Sequence, residues 1–187
     1  MKVKFKKLVP GAVLPKKATE GSAAYDLYVT EDIIIEPGRH IIPLGFAMEM
    51  EPGHQAQVEP RSGFSSKGME GYHVMEHNIG CNTSFRPYSV LNDIVMKYEN
   101  TSLKKSRYVS MDPDRFDCDV IVGKIDSDYR DGCGVILHNR DMRTFMIKTG
   151  TRIAQLTFLK VEEVDWEETD TLSETDREGG FGSTGTK

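Results

Sequence analysis

Residues 32–60 read DIIIEPGRHIIPLGFAMEMEPGHQAQVEP, and they carry the clearest signal of the chain's architecture. Three strand-like runs follow one another: DIIIEPG (32–38), RHIIPLGFAMEM (39–50) and HQAQVEP (54–60). Proline followed by glycine marks a turn, and this pair occurs at Pro37-Gly38 and at Pro52-Gly53. Short runs of this kind, separated by turn signals, predict consecutive strands of an antiparallel sheet.

The same pattern recurs on both sides of this stretch. Further strand-like runs are KVKFKKL (2–8), VIVGKI (120–125), GVILHN (134–139) and RIAQLTFLKVEEV (152–164). Many short strands with turns between them are typical of an antiparallel sandwich, a jelly roll or a barrel. We therefore predict an all-β fold.

The middle of the chain departs from this pattern. The segment YSVLNDIVMKYE (88–99) has apolar residues at helical spacing, at Leu91, Ile94, Val95 and Tyr98. This spacing predicts a short amphipathic helix, and the polar stretches around it resemble loops. We interpret residues 72–118 as a partly helical insertion, whose apolar stripe either packs on its own domain or binds a partner.

The end of the chain predicts an arm. Residues 162–176 contain eight acidic side chains and no basic one, which is typical of a solvated connector. The tail REGGFGSTGTK (177–187) has a G-x-G-x-x-G spacing, but only two residues follow its last glycine, so a dinucleotide-binding fold is excluded. We predict a β domain over 1–71 and 119–164 and a C-terminal arm with a glycine-rich lid over 165–187.

Composition narrows the class of protein. The 187 residues are 38% hydrophobic and 28% charged, with a net charge of −5 that argues against broad nucleic-acid binding. No stretch has the length of a membrane span or the apolar core of a signal peptide, so we expect a cytoplasmic protein without a membrane partner. Cys81, Cys118 and Cys133 form no C-x-x-C pair and indicate neither a disulfide framework nor a zinc ribbon.

Four short segments contain residues suited to chemistry. In AAYDLYV (23–29), Asp26 stands between apolar neighbours, where a carboxylate needs a partner, solvent or a cation; it is either an edge acid or part of a site. In EPRSGFSSKG (59–68), a turn after Pro60 can direct a guanidinium, a hydroxyl and backbone N–H groups at one anion, although any surface turn can have this sequence.

The other two segments follow later in the chain. In GKIDSDYRDG (123–132), Asp126 and Asp128 would share one face of a strand if that strand continued. A carboxylate beside a polyphosphate can act as a general base toward water. The alternative is a hairpin with solvated acids and a core Tyr129. In GTRIAQLTF (150–158), Gln155 is the polar residue of an apolar run, and it either contacts a ligand or faces solvent.

Together with the tail, these segments resemble the trimeric deoxyuridine triphosphate nucleotidohydrolase (dUTPase) family. The matching motifs occur in the family's order: AAYDL, PRSGFSSKG, GKIDSDYRDG, GTRIAQL and REGGFGSTG. The resemblance implies a jelly-roll-like β-clip subunit that forms a homotrimer with active sites shared between subunits. It also implies Mg²⁺-dependent cleavage of dUTP to dUMP and pyrophosphate.

The resemblance also implies roles for individual residues. By position, Asp126 matches the general base that activates the water attacking the α-phosphorus. Tyr129 matches the residue under the deoxyribose, and Phe181 matches the ring that covers uracil. Other substrate-binding positions match at Arg61, Ser62, Gly63, Gln155, Arg177, Gly182 and Ser183. Asp26 matches an acid near a metal whose direct ligands are phosphate oxygens and waters, so no side chain is expected to bind the metal directly.

The match has departures that leave alternatives open. Arg61 and Asp126 are 65 positions apart, much farther than is usual in the family, and Arg177 is one position closer to Phe181 than usual. The family's base-recognising Asn has no clear counterpart. One alternative is therefore a dCTP deaminase-like enzyme or a broader dNTP pyrophosphatase. Another is a dUTP-dependent regulatory binding protein that engages a partner through the insertion.

Overall fold

The chain folds into short antiparallel strands, as the sequence predicts. The computed structural model describes residues 1–78 and 105–176. The strands in the first of these ranges are β1 (Lys4–Lys7), β2 (Tyr25–Tyr28), β3 (Ile33–Ile35), β4 (Gly38–Pro43), β5 (Phe46–Glu49), β6 (His54–Glu59) and β7 (Met69–Asn78), with a one-turn helix α1 (Ser62–Lys67) before β7. The second range contains β8 (Lys105–Val109), β9 (Asp114–Phe116), β10 (Cys118–Ile121), β11 (Gly123–Asp126), β12 (Gly134–Asn139), β13 (Thr144–Ile147) and β14 (Arg152–Lys160).

The strands form four antiparallel groups. Their orders are β1-β5, β10-β12-β4, β11-β6-β14-β2 and β3-β13-β7-β8, and β9 also pairs with β7. Strands distant in sequence are therefore neighbours in every group, and the buried side chains between the groups form one core. The prediction of an all-β, jelly-roll-like subunit is confirmed. Within residues 1–78 and 105–176, no helix has the length and apolar character needed to cross a membrane.

The run predicted over 39–50 is divided into two strands at Gly45. Gly45 has φ +70°, and a Cβ atom there would lie 2.4 Å from a methyl carbon of Val9. The backbone amides of Leu8 and Val9 both donate to the Gly45 carbonyl, at 2.8 and 3.2 Å. Only glycine combines this backbone conformation with such a close approach, so β4 ends and β5 begins in a different sheet.

The run predicted over 120–125 is also divided. Val122 lies between β10 and β11 and is 52% exposed. Strand β10 pairs with β12, whereas β11 pairs with β6 in another sheet. The chain therefore changes sheets just before Asp126, and this change determines where the Asp126 carboxylate lies.

A pair of stacked aromatic rings connects β9 and β13. The rings of Phe116 and Phe145 are stacked with centroids 4.4 Å apart, and both side chains are buried. The guanidinium of Arg143 lies 4.5 Å from the Phe116 ring centre and donates to Asp114 at 2.6 Å and to Asp141 at 2.8 Å. These hydrogen bonds from Arg143 lower the pKa of the Asp141 carboxyl to about 2.

The ends of the predicted insertion belong to the β structure. Strand β7 pairs with β8 from Val74↔Val109 to Asn78↔Lys105, so the chain leaves and re-enters the fold along one two-stranded ladder. The helix predicted over 88–99 lies outside the described residues. The division of the chain into a β domain, the insertion 72–118 and the arm 165–187 stays a prediction.

The two described cysteines, Cys118 and Cys133, are buried and should be unreactive in the native protein. Burial raises the pKa of the Cys118 thiol to about 12 and that of Cys133 to about 11. The thiolate is the reactive form, so in a Cys81→Ser background we expect no reaction of the native protein with a disulfide reagent at pH 8. Both thiols should react in guanidinium chloride, which serves as the control. Rapid labelling of the native protein would contradict the burial of these side chains.

Candidate active site

Asp26 is paired with two arginines from different parts of the chain. Its side chain is 9% exposed, and Arg61 Nε lies 2.8 Å from one carboxylate oxygen. Arg152 Nη1 lies 3.1 Å from the other oxygen. Two guanidinium partners compensate the loss of hydration that the carboxylate suffers on burial. Asp26 is therefore not a solvated edge acid; it holds Arg61 in place at the start of the next turn.

Gln155 lies beside Asp26 on the same sheet. In the pairing of β14 with β2, Gln155 is opposite Asp26, and in the pairing of β14 with β6 it is opposite Glu59. The Gln155 amide donates to Glu59 Oε1 at 3.2 Å, and Gln57 donates to Glu59 Oε2 at 3.4 Å. Gln155 is half-buried and hydrogen-bonded, and one N–H of its amide remains available for another acceptor.

The predicted turn after Pro60 contains a short helix. Arg61 has an extended backbone (φ −80°, ψ 143°) and α1 begins at Ser62. Phe64 is the buried residue of this helix, whereas Ser62 and Gly63 are exposed. A Cβ atom at Gly63 would meet no atom within 4 Å, so its backbone is open to a ligand. The predicted turn thus presents a hydroxyl and an uncovered backbone beside the Arg61 guanidinium.

Asp126 and Tyr129 form a second group of predicted site residues. Asp126 is the last residue of β11, and the chain turns there, with the Tyr129 amide donating to the Asp126 carbonyl at 3.2 Å. The condition under which Asp126 and Asp128 would share a strand face is not met, because β11 ends at Asp126. Tyr129 is 41% exposed and its hydroxyl donates to the Gly132 carbonyl at 3.2 Å, so it is not a core residue.

Asp126 and Tyr129 line one pocket of about 320 Å³. Its apolar wall includes Ile41, Ile121 and Ile136, which lie side by side across β4, β10 and β12. Ile41 is 76% exposed. The pocket therefore combines an accessible carboxylate, an aromatic ring and an apolar wall, the composition expected of a small-molecule site.

The two groups lie at opposite ends of strand β6. Asp126 is opposite Gln55 in the pairing with β11, whereas Gln155 is opposite Glu59. These two positions on β6 are four residues apart, which corresponds to ~13 Å along the strand at the rise of a β-strand. One copy of the chain therefore does not bring Asp126 next to the turn at Arg61.

Four of the predicted site residues, Arg177, Phe181, Gly182 and Ser183, lie outside the described residues. Two other residues contact the predicted site residues but were not predicted. Sequence reasoning missed Glu59 and Arg152, because their roles depend on which strands pair. A weak signal for Glu59 was its position directly before Pro60-Arg61. Among the described residues, no group of three or more His, Cys, Asp or Glu side chains is arranged to hold a metal ion.

Comparisons with known proteins agree on one family. A family model for dUTPase matches residues 11–81 and 117–185. The deoxyuridine 5′-triphosphate nucleotidohydrolase of Nautilia profundicola is 35% identical over 187 residues, covering 99% of both chains. The enzyme of the same name from Gloeothece citriformis is 34% identical, covering 99% of this chain and 97% of its own.

Solved structures support the fold. A mutant dUTPase of Staphylococcus bacteriophage 80alpha with dUpNHpp has a TM-score of 0.68 at 19% identity, covering 98% of both chains. The dUTPase of phage phi11 of S. aureus, described as showing a species-specific insert, has a TM-score of 0.61 at 16% identity, covering 94% of this chain and all of its own. On the family model and the full-length relatives, this chain belongs to the dUTPase family.

Proposed function

We propose that the protein hydrolyses dUTP to dUMP and pyrophosphate, with Asp126 as the general base. The observation that carries this proposal is the pocket in which Asp126 and Tyr129 lie together, in a chain that belongs to the dUTPase family. Asp126 is exposed, so its carboxylate is accessible to a water molecule from which it can accept a proton. That water attacks the α-phosphorus, and pyrophosphate leaves.

Tyr129 supports the choice of a deoxyribonucleotide. Its hydroxyl donates to the Gly132 carbonyl, which restrains the ring, and the residue is 41% exposed. A restrained ring under the sugar leaves no room for a ribose 2′-hydroxyl. Phe181 of the arm is assigned to cover uracil, and aromatic rings bind bases by stacking.

The Asp26 group suits the triphosphate. Arg61, Ser62 and Gly63 present a guanidinium, a hydroxyl and an open backbone at one place, and Gln155 has a free N–H nearby. Charge-assisted hydrogen bonds of this kind bind phosphate strongly. The arm completes the set with Arg177, Gly182 and Ser183, and its closure over the substrate would exclude water.

The residues present fit a magnesium ion that is held mainly by the substrate. Both oxygens of Asp26 are paired with arginines, and the described residues offer no cluster of direct ligands. Mg²⁺ commonly keeps several waters and binds phosphate oxygens with few protein ligands. When bound, it neutralises charge on the triphosphate. Asp26 would contact it through water.

A homotrimer with shared sites explains the separation of the two groups. The β6 residues opposite Asp126 and Gln155 are ~13 Å apart along the strand, from the rise per residue of a β-strand. That is too far for one copy to supply both the base and the phosphate-binding turn to one α-phosphate. The turn of one subunit and the pocket of another can meet across an interface, with the arm coming from a third.

A second role, partner binding, is supported by the unmatched middle of the chain. Between its two matched ranges the family model leaves residues 82–116 uncovered. Strands β8 and β9 lie in the second half of this segment, and both pair with β7. We propose that this segment binds a protein partner, and that this role exists in addition to catalysis. A cytoplasmic location likewise remains a prediction.

Pyrophosphate release with Mg²⁺ tests the main proposal. We expect dUTP to be hydrolysed at least ~10-fold faster than dTTP, since one additional methyl group on the base has an effect of this order. With dCTP as substrate, ammonia release should be measured as well, because its release would reveal a deaminase. Equal rates for dUTP, dCTP and dTTP would contradict uracil selection and favour the broader pyrophosphatase. Absence of pyrophosphate would contradict the function itself.

A further inference from the structure

A row of paired residues crosses the sheet at the Asp26 group and ends at a lysine. Glu59 is opposite Gln155, and Gln155 is opposite Asp26. Lys16 continues the row, because it forms an isolated antiparallel bridge with Asp26, whose amide donates to the Lys16 carbonyl at 2.8 Å. Residues directly opposite one another in antiparallel pairs have their side chains on the same face. The Lys16 side chain therefore lies on the face that carries Asp26 and Gln155.

The ammonium group of Lys16 is available to a ligand. Lys16 is exposed, and within residues 1–78 and 105–176 its side chain has no ion-pair or hydrogen-bond partner. Its neighbour in the row, Asp26, is already paired through both oxygens, with Arg61 at 2.8 Å and Arg152 at 3.1 Å. The flexible four-carbon stem of a lysine allows its ammonium to extend over such a row.

Lys16 also changes the charge of the proposed phosphate site. Asp26 and Glu59 are acids, and they offset the two guanidinium groups of Arg61 and Arg152, so the formal charges of these four side chains cancel. A triphosphate carries several negative charges, and a site for it gains from an excess of positive charge. Lys16 provides this excess.

We propose that Lys16 is a further substrate-binding residue, whose ammonium contacts the phosphate chain of dUTP. Arg61 is held in one place by Asp26 and donates to phosphate in a fixed direction. Lysine acts instead as a compact point charge on a flexible stem, so it can follow phosphate oxygens that a fixed guanidinium does not reach. This inference rests on the proposed function and adds a residue to its phosphate site.

Lys17 is a matched control for Lys16. The two lysines are neighbours in the chain, and both are exposed. The Lys17 ammonium lies over the Tyr25 ring, 5.5 Å from its centre. Tyr25 directly precedes Asp26 in β2, so the two side chains lie on opposite faces of the sheet. Lys17 thus has the same charge at nearly the same place in the sequence, but on the face away from the proposed phosphate site.

Steady-state kinetics with dUTP compare the two lysines. Lys16→Met keeps most of the stem and removes the charge, so we expect KM to rise ~3- to 10-fold, the effect of a hydrogen bond to a charged group weakened by solvent. The value of kcat should stay within ~2-fold, because the lysine holds the phosphate chain in the ground state and the transition state alike. Lys17→Met should leave both constants near those of the wild type. Equal KM values for the two variants would overturn the proposal.

Charge replacement and salt separate a phosphate contact from a structural role. Lys16→Arg should keep KM near the wild-type value, and Lys16→Glu should raise it above that of Lys16→Met. At 1 M salt the Debye length falls to ~3 Å, so the difference in KM between Lys16→Met and the wild type should largely disappear. A difference that salt does not reduce, or an arginine variant no better than the methionine variant, would overturn the proposal.

Binding without turnover separates this inference from the proposed function. In calorimetric titrations with dUpNHpp, the dissociation constant should rise for Lys16→Met by the same factor as KM and should not change for Lys17→Met. Urea unfolding at the wild-type midpoint shows that both variants are folded. A wild-type protein that neither hydrolyses dUTP nor binds dUpNHpp would contradict the proposed function and this inference with it. If the wild type hydrolyses dUTP and Lys16→Met binds dUpNHpp equally well, only the role of Lys16 is overturned.

Discussion

Asp126→Asn is expected to lower kcat for dUTP hydrolysis by at least ~10²-fold, the usual contribution of a general base. The amide has nearly the same shape as the carboxylate but cannot accept the proton from water. Because the Asp126 side chain is exposed at the end of β11, the free energy of unfolding should change by no more than ~0.5 kcal/mol. Steady-state kinetics with dUTP and urea unfolding of the same preparations provide the two measurements.

Asp128→Asn is the matched control for this prediction. Asp128 is exposed in the turn two residues after Asp126 and does not line the pocket, and the same chemical change there removes one negative charge from the same turn. Its kcat should stay within a few-fold of the wild type. Equal rates for Asp126→Asn and the wild type would remove Asp126 from the proposed role, whatever the stability data show.

Unlike Asp126→Asn, the substitution Asp26→Asn should clearly lower the free energy of unfolding. It removes the counter-charge shared by Arg61 and Arg152 from a site where the Asp26 side chain is 9% exposed. Breaking a fully buried pair costs about 3–5 kcal/mol, but solvent screens these partly exposed arginines, so we expect about 1–3 kcal/mol. Hydrolysis should also fall, because Arg61 loses the contact that positions it beside Ser62.

Asp119→Asn gives the comparison for Asp26→Asn. Asp119 also pairs with an arginine, Arg140, but both side chains are about half exposed, so the unfolding free energy should change by less than ~1 kcal/mol. Urea unfolding of both variants, with kinetics at a temperature where each is folded, separates stability from activity. If Asp26→Asn were as stable as Asp119→Asn, the two-arginine pairing would not have the structural role described above.

Much of the fold was predictable because its strands carry local signals. The run at 134–139 coincides with β12, and the run at 54–60 contains β6 and ends at Pro60. Composition and turn residues are local properties, so they report strand positions well. The breaks at Gly45 and Val122 were not predicted, because a change of sheet depends on contacts with distant residues such as Val9.

Part of the candidate site was predictable because some of its residues belong to one short sequence motif. Asp126 and Tyr129 stand close together in one motif, and the structure places both in one pocket. Arg152 and Glu59 could not be recognised, since each acquires its role only when β14 pairs with β2 or β6. Whether Asp126 and Asp128 share a strand face depended on whether the strand continues, and the sequence left this open; β11 ends at Asp126.

By itself, the sequence determined the all-β class, the family and the identity of the candidate base, because these depend on short motifs and on strand-like composition. Only the tertiary structure decided that Asp26 holds two arginines and that Asp126 lies at the other end of β6 from Gln155. Register and pairing between strands far apart in the chain set these distances, and no local pattern encodes them.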